Sequence, residues 1–152
     1  MNIQLITVGT LKETYWKAAC QEYIKRLSRF GKVQITEIPE VVRGGHQDIQ
    51  KEGLAIANKI KSGSFIVALC VEGKPFSSEG LAQMIQDVGL RGFGSITFLI
   101  GGSDGLSEDV KSFAHLRLSF SRMTFPHQLM RVILLEQVYR AEKILAGESY
   151  HK

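Results

Sequence analysis

One stretch, FLIGGSDGLSEDVKSFAHLRLSFSRMTFPHQLMR at residues 98–131, constrains the fold more than any other. Phe98, Leu99 and Ile100 end an unbroken apolar run, the pattern of a strand covered on both faces. The chain then breaks at Gly101-Gly102-Ser103-Asp104-Gly105 and passes through one short helical segment. It repeats the theme with a strand at Leu116, Leu118 and Phe120, a polar loop, and a helix begun at Pro126. Two strand ends opening side by side call for a parallel sheet, and the crevice beyond the carboxyl ends of such strands is where ligands bind.

The remaining elements agree with that architecture. Residues 2–8 read as a first strand, ended by Gly9-Thr10, and residues 13–29 as a helix with Tyr15, Ala18, Ala19, Tyr23, Ile24 and Leu27 on its apolar face. Val33, Ile35 and Ile38 alternate as a half-exposed strand. Residues 40–47 form the longest loop candidate, and residues 48–61 a helix whose inner face is Ile49, Leu54, Ala57 and Ile60. The run FIVALCV at 65–71 predicts a central strand, with Glu72-Gly73-Lys74-Pro75 as the turn after it. Ser77 or Ser78 can cap the next helix, which runs to about Val88 before a glycine-rich loop at 89–94. Ser107 can cap a short helix at 108–114, and the last helix continues to about Leu145. Strand and helix alternate throughout, which predicts one α/β domain over residues 1–152 with a mostly parallel sheet flanked by helices.

The last helix is apolar on two arcs. Met130, Ile133, Leu134, Ala141, Ile144 and Leu145 form one; Leu129, Val132, Leu135 and Tyr139 form the other. A helix lying on its own sheet needs one apolar stripe. Either this helix is deeply buried within a subunit, or the second arc packs on the same helix of a twin, giving an isologous dimer.

Charge and cysteine usage narrow the function classes. Nineteen Lys and Arg against fifteen acidic residues give a net charge of +4, a modest attraction for phosphate with no dedicated basic arm. No apolar run reaches a membrane span and no signal-peptide pattern opens the chain, so a cytoplasmic protein is expected. Cys20 and Cys70 lack neighbours at metal-ligand spacing and read as buried thiols. No zinc ligand set and no Ser-His-Asp set is visible, so neither metal nor hydrolytic chemistry is expected.

Several residues are candidates for a site. Residues 101–105 let the backbone approach a ligand, but match neither the dinucleotide fingerprint nor a P-loop, so a nucleotide-like ligand would be held without a phosphate cradle. Phe120, Ser121, Arg122, Met123, Thr124 and Phe125 could sandwich a flat base and offer backbone groups to its edge. His127 stands at the start of the last helix, and Arg131 follows one turn later. Glu136, Arg140 and Lys143 share one helical face, and Tyr150-His151-Lys152 could stack on and contact an unpaired RNA base.

Taken together, LITVG at 5–9, Lys51-Glu52-Gly53, Leu69 with Glu72-Gly73-Lys74, IGGSDGL at 100–106, LSFSRMTFPHQLMR at 118–131, EQVYRA at 136–141 and the terminal Tyr150-His151-Lys152 closely resemble the RlmH family, SPOUT-class methyltransferases of bacterial large-subunit ribosomal RNA. The resemblance covers the chain in order and is least marked at 40–50 and 91–95. It implies an S-adenosylmethionine-dependent homodimer with a C-terminal trefoil knot, methylating N3 of a pseudouridine in a ribosomal RNA stem-loop; the chain's shortness leads to the assembled ribosome as the expected substrate. It places the cofactor at Leu69, Gly101 and residues 120–125. Glu136, Arg140 and His151 match positions near the reaction, and His127, Arg131 and Tyr150 positions at the substrate. His127, Glu136 and His151 are the candidate acceptors of the N3 proton. A ribosome-binding module without a cofactor and a nucleotide- or flavin-binding α/β protein are the competing readings.

Overall fold

The computed structural model describes all 152 residues. Five parallel strands make the sheet: β1 (Asn2–Val8), β2 (Val33–Ile38), β5 (Phe65–Pro75), β6 (Ser95–Ile100) and β7 (Leu116–Ser119), in the order β2-β1-β6-β5-β7. Leu5 lies opposite Ile35 on one side and Phe98 on the other, and Val67 lies opposite Phe98. All six residues of β6 are buried, four of them apolar and Thr97 hydrogen-bonded to Gln4 and Ser64. The helices are α1 (Thr14–Leu27), α2 (Ile49–Lys59), α3 (Ser78–Leu90), α4 (Glu108–Phe113) and α5 (His127–Leu145).

Strand alternation divides the core in two. Leu5, Val67 and Phe98 point into a large cluster with Leu27 of α1, Ile85 of α3 and Leu134 of α5. Their neighbours Ile6, Ala68 and Leu99 point into a smaller one with Ile56 of α2 and Val110 of α4. The chain thus forms three layers, with α1, α3 and α5 on one side of the sheet and α2 and α4 on the other. Side-chain oxygens of Ser77 and Ser107 accept the Gly80 and Val110 amide N–H groups and start α3 and α4.

Several expectations require correction. Residues 72–75 are not a turn. β5 runs on to Pro75, and Leu69 and Lys74 both lie opposite Leu118 across a register shift. Gly73 serves close backbone approach, since a Cβ there would sit 2.7 Å from the Leu118 carbonyl carbon. The presumed loop at 40–47 holds a hairpin of β3 (Val42–Arg43) and β4 (His46–Gln47), turned by Gly44 and Gly45 at φ of 59° and 81°. Helix α3 continues to Leu90, and Phe120 lies beyond the end of β7.

Two helices are also rotated from the expected faces. On α2, Leu54 and Ala57 are exposed while Glu52, Gly53 and Ile56 are buried, because the Glu52 carboxylate turns inward to accept backbone and amide N–H groups. On α1, Tyr15 and Ala18 face outward and Trp16 and Cys20 inward. Cys20 is buried, but Cys70 is only half-buried, because β5 leaves its register with β7 just there. Helix α5 lies between α1 and α3 and has no exposed residue from His127 to Ile144. Part of its second arc is used within the subunit: Leu135 is fully buried and the Tyr139 ring lies 6.3 Å from those of Tyr23 and Phe30.

Candidate functional site

A cleft of about 340 Å³ opens at the carboxyl ends of β5, β6 and β7. One wall is Leu69, Leu118, Phe120 and Met130, which rest on the large core cluster. The other is the loop from Gly101 to Gly105 with Leu106, whose side chain belongs to the small one. Gly101 has no room for a side chain: a Cβ would fall 2.4 Å from the Gly105 carbonyl carbon. The loop therefore folds back on itself and presents backbone to the cavity.

Of the residues expected at a cofactor, Leu69, Gly101, Phe120, Ser121, Met123, Thr124 and Phe125 line this cleft, and Arg122 does not. The Ser121 hydroxyl accepts the Met123 amide N–H at 3.0 Å, and the Ser121 carbonyl accepts from the Ser119 hydroxyl, so the second loop is held by its own side chains. His127 and Met130, at the start of α5, close the cleft behind it.

Sequence reasoning missed Cys70, Val71, Glu72 and Lys111, which also line the cleft. They were hidden because 72–75 read as a turn and nothing in the short helix at 108–114 singles out Lys111. Lys111 Nζ donates to Glu72 Oε1 at 2.6 Å and to Glu108 Oε1 at 3.4 Å. The hydrogen bond from Lys111 holds the Glu72 carboxyl below its ordinary range, and Glu72 in turn raises the Lys111 ammonium. Burial and the nearby Glu72 charge push the Cys70 thiol up. The one lysine on the wall is thus neutralised, and no cationic cradle for phosphate exists.

Glu136, Arg140, Tyr150 and His151 come together elsewhere. Glu136 Oε1 accepts from Arg140 Nη2 at 2.6 Å and Nε at 3.1 Å and from the Tyr150 hydroxyl at 3.1 Å, while Oε2 accepts from Gln137 at 2.8 Å. Arginine only donates, so His151 Nδ1, 3.3 Å from Arg140 Nη1, is the acceptor and its Nε2–H donates to Glu79 at 2.7 Å. The Glu136 hydrogen bond keeps the Arg140 guanidinium protonated, and desolvation raises the Tyr150 phenol. A second cleft of about 370 Å³ lies between this network and the first, sharing Leu118, Phe120 and Phe125 with it and reaching Ser78 and Gln137.

Arg131 is set apart from both. It is 2% exposed, and its guanidinium is held within the subunit by Glu37 and the Gly9 carbonyl. No group of three or more His, Cys, Asp or Glu is placed to hold a metal ion, and no helix is long and apolar enough to cross a membrane.

Comparison with known proteins follows the same lines. A family model described as a predicted SPOUT methyltransferase matches residues 1–151. The chain is 51% identical to ribosomal RNA large subunit methyltransferase H of Alkaliphilus oremlandii and 53% identical to that of Clostridium novyi, over the full length of both chains in each case. It is 46% identical to that of Leuconostoc citreum, again over both full lengths. Among solved structures, a probable methylase family protein from Haemophilus influenzae shares the fold with a TM-score of 0.57 and 12% identity, over 99% of this chain and 70% of that one.

Proposed function

Because the chain belongs to the SPOUT methyltransferase family, we propose that it transfers a methyl group from S-adenosylmethionine to N3 of a pseudouridine in bacterial large-subunit ribosomal RNA. The observation that carries this reading is the convergence of Leu69, the Gly101 loop, Phe120, Ser121 and residues 123–125 on one cleft that lacks a phosphate cradle. Its volume lies in the range of small-molecule sites. S-adenosylmethionine has an adenosyl group for apolar walls and backbone edges, and no phosphate.

When bound, S-adenosylmethionine supplies an electrophilic methyl group on its sulfonium. The chain must orient the base and take its N3 proton. His127 is the acceptor the geometry favours: it lines the cleft and neither ring nitrogen carries a hydrogen bond, whereas both nitrogens of His151 are engaged and Glu136 already accepts four donations. The Glu136 carboxylate orients Arg140 and Tyr150, whose ring lies 4.7 Å from the Arg140 guanidinium carbon, as a face for an RNA base or phosphate.

The same reading has the chain working as a single cytoplasmic domain and a homodimer. Leu129, Val132 and Ile133 of α5 remain half-buried and are the apolar surface for a twin. The same reading implies a C-terminal trefoil knot.

The test is transfer of labelled methyl from S-adenosylmethionine to ribosomes lacking the modification, with the labelled nucleoside identified. N3-methylpseudouridine is expected. Label on another base would keep the class and discard the assignment, and calorimetric binding of NAD or FMN in place of S-adenosylmethionine would discard both.

A further inference from the structure

The segment Lys51-Glu52-Gly53 and the hairpin before it have no part in the reaction as described. Glu52 is 1% exposed on α2 and has no cation within ion-pair distance. Its carboxylate is satisfied by N–H donors alone: the Val41 amide at 2.9 Å and Gln47 Nε2 at 2.9 and 2.8 Å. With both Glu52 oxygens accepting from N–H donors, the carboxyl group fixes which way the Gln47 amide faces. The nitrogen must turn to Glu52, and Oε1 is delivered to the opposite side.

There it meets the cleft. Gln47 Oε1 accepts from the Ser103 hydroxyl at 3.1 Å and the Asp104 amide N–H at 3.0 Å. Both residues belong to the loop that forms one wall. The amide lies so close on this loop that a Cβ at Gly102 would fall 2.2 Å from Gln47 Nε2. A Cβ at Gly53 would fall 2.8 Å from Ser107 Oγ, so α2 itself is seated against the segment that follows the loop. Two glycines thus leave room for one latch.

We propose that Gln47, oriented by Glu52, is a positioning residue for the cofactor loop, and that through it the occupancy of the cleft is transmitted to the β3–β4 hairpin. The hairpin carries exposed Arg43 and His46, and its Asp48 N–H is tied to Val41 O. A loop held at Ser103 and Asp104 presents its backbone in one shape; released, it must be ordered by the ligand, at a cost in affinity. Conversely, a ligand that fixes the loop fixes Gln47 and stiffens the hairpin. The inference rests on the methyltransferase reading for the nature of the ligand.

S-adenosylhomocysteine is the probe, read by calorimetry and by hydrogen exchange of the amides at 41–48. Gln47→Ala is expected to weaken binding about tenfold, the loss expected from removing these hydrogen bonds. Gly102→Ala, which displaces the same amide, acts similarly, and the double variant is no weaker than the worse single one because both remove one latch. In the wild type the probe slows exchange at Val41 and Asp48; in Gln47→Ala it does not, which a loss of stability alone would not produce. If Gln47→Ala does not fold, Gln47→Met keeps the length without the amide and is read the same way. A wild type that binds the probe beside a variant that binds and protects equally overturns the latch alone. A wild type that does not bind overturns the methyltransferase reading and the latch with it.

Discussion

Arg131, near the start of α5, donates from Nη1 to Glu37 Oε2, on β2, at 2.8 Å, and the same oxygen accepts the Leu11 amide N–H at 3.2 Å. One carboxylate thus ties the segment after β1 to the helix bearing His127. Removing it leaves a buried guanidinium without its counter-charge. Glu37→Ala is expected to cost about 3 kcal/mol, the low end for breaking a buried pair because Glu37 itself is partly exposed. Urea denaturation measures it; a loss below about 1 kcal/mol would show that water replaces the carboxylate.

Gly101→Ala places a methyl group 2.4 Å from the Gly105 carbonyl carbon, so the loop must open. Affinity for S-adenosylmethionine is expected to fall at least about tenfold, read by calorimetry, while far-ultraviolet circular dichroism stays unchanged. Unaltered affinity would place the ligand off this wall.

For His127 the expectation is kinetic. His127→Ala lowers single-turnover methylation about a hundredfold, within the usual range for a general base, and changes cofactor affinity little. An unchanged rate moves the proton to Glu136, His151 or water.

Glu142 gives a pH signature. Burial raises its pKa, partly offset by the α-amino group of Met1 4.0 Å away, and its Oε1 has no hydrogen-bond partner. A carboxyl whose folded pKa lies above the unfolded value favours folding when protonated. Its contribution is complete below the unfolded pKa of about 4.3 and is lost as pH rises through the folded one. Glu142→Gln removes the ionisation, so its melting temperature should match the wild type near pH 4 and exceed it once the pH has risen through the folded pKa. A constant difference across that range would mean the buried carboxyl does not titrate.

Cys70 reports on the cleft directly. Burial, then the Glu72 charge, raises its pKa, so alkylation by iodoacetamide is expected to be slow at pH 7, faster above pH 9 and blocked by S-adenosylhomocysteine, with Cys20 unreactive throughout. Mass spectrometry of the labelled peptides decides it, and labelling unaffected by the ligand would place the thiol outside the bound state.

The alternation of strand and helix was legible because continuous apolar runs such as those at 65–71 and 95–100 have few alternatives to a doubly covered strand. What misled was residues doing an unusual job. Gly73-Lys74-Pro75 has turn composition, yet its glycine lets the parallel β7 backbone come close and the strand run on. The inner face expected of α2 omits Glu52, a charged residue whose carboxylate is in fact buried, so the real inner face is rotated away from Leu54. Arg131 looked like a substrate contact because its partner Glu37 lies ninety-four positions away in the chain, beyond any local pattern. The Gln47 amide left no sequence signal, since its role arises only where a hairpin and a distant loop meet.

The unequal size of the two core clusters has a mechanical consequence. The wall formed by Leu69, Leu118, Phe120 and Met130 is backed by nineteen buried residues, and the wall formed by residues 102–106 by eight. Local opening begins where few apolar contacts must be broken. The cleft is therefore a jaw with one firmly backed side and one lightly backed side, and local opening is expected to begin on the side of residues 102–106.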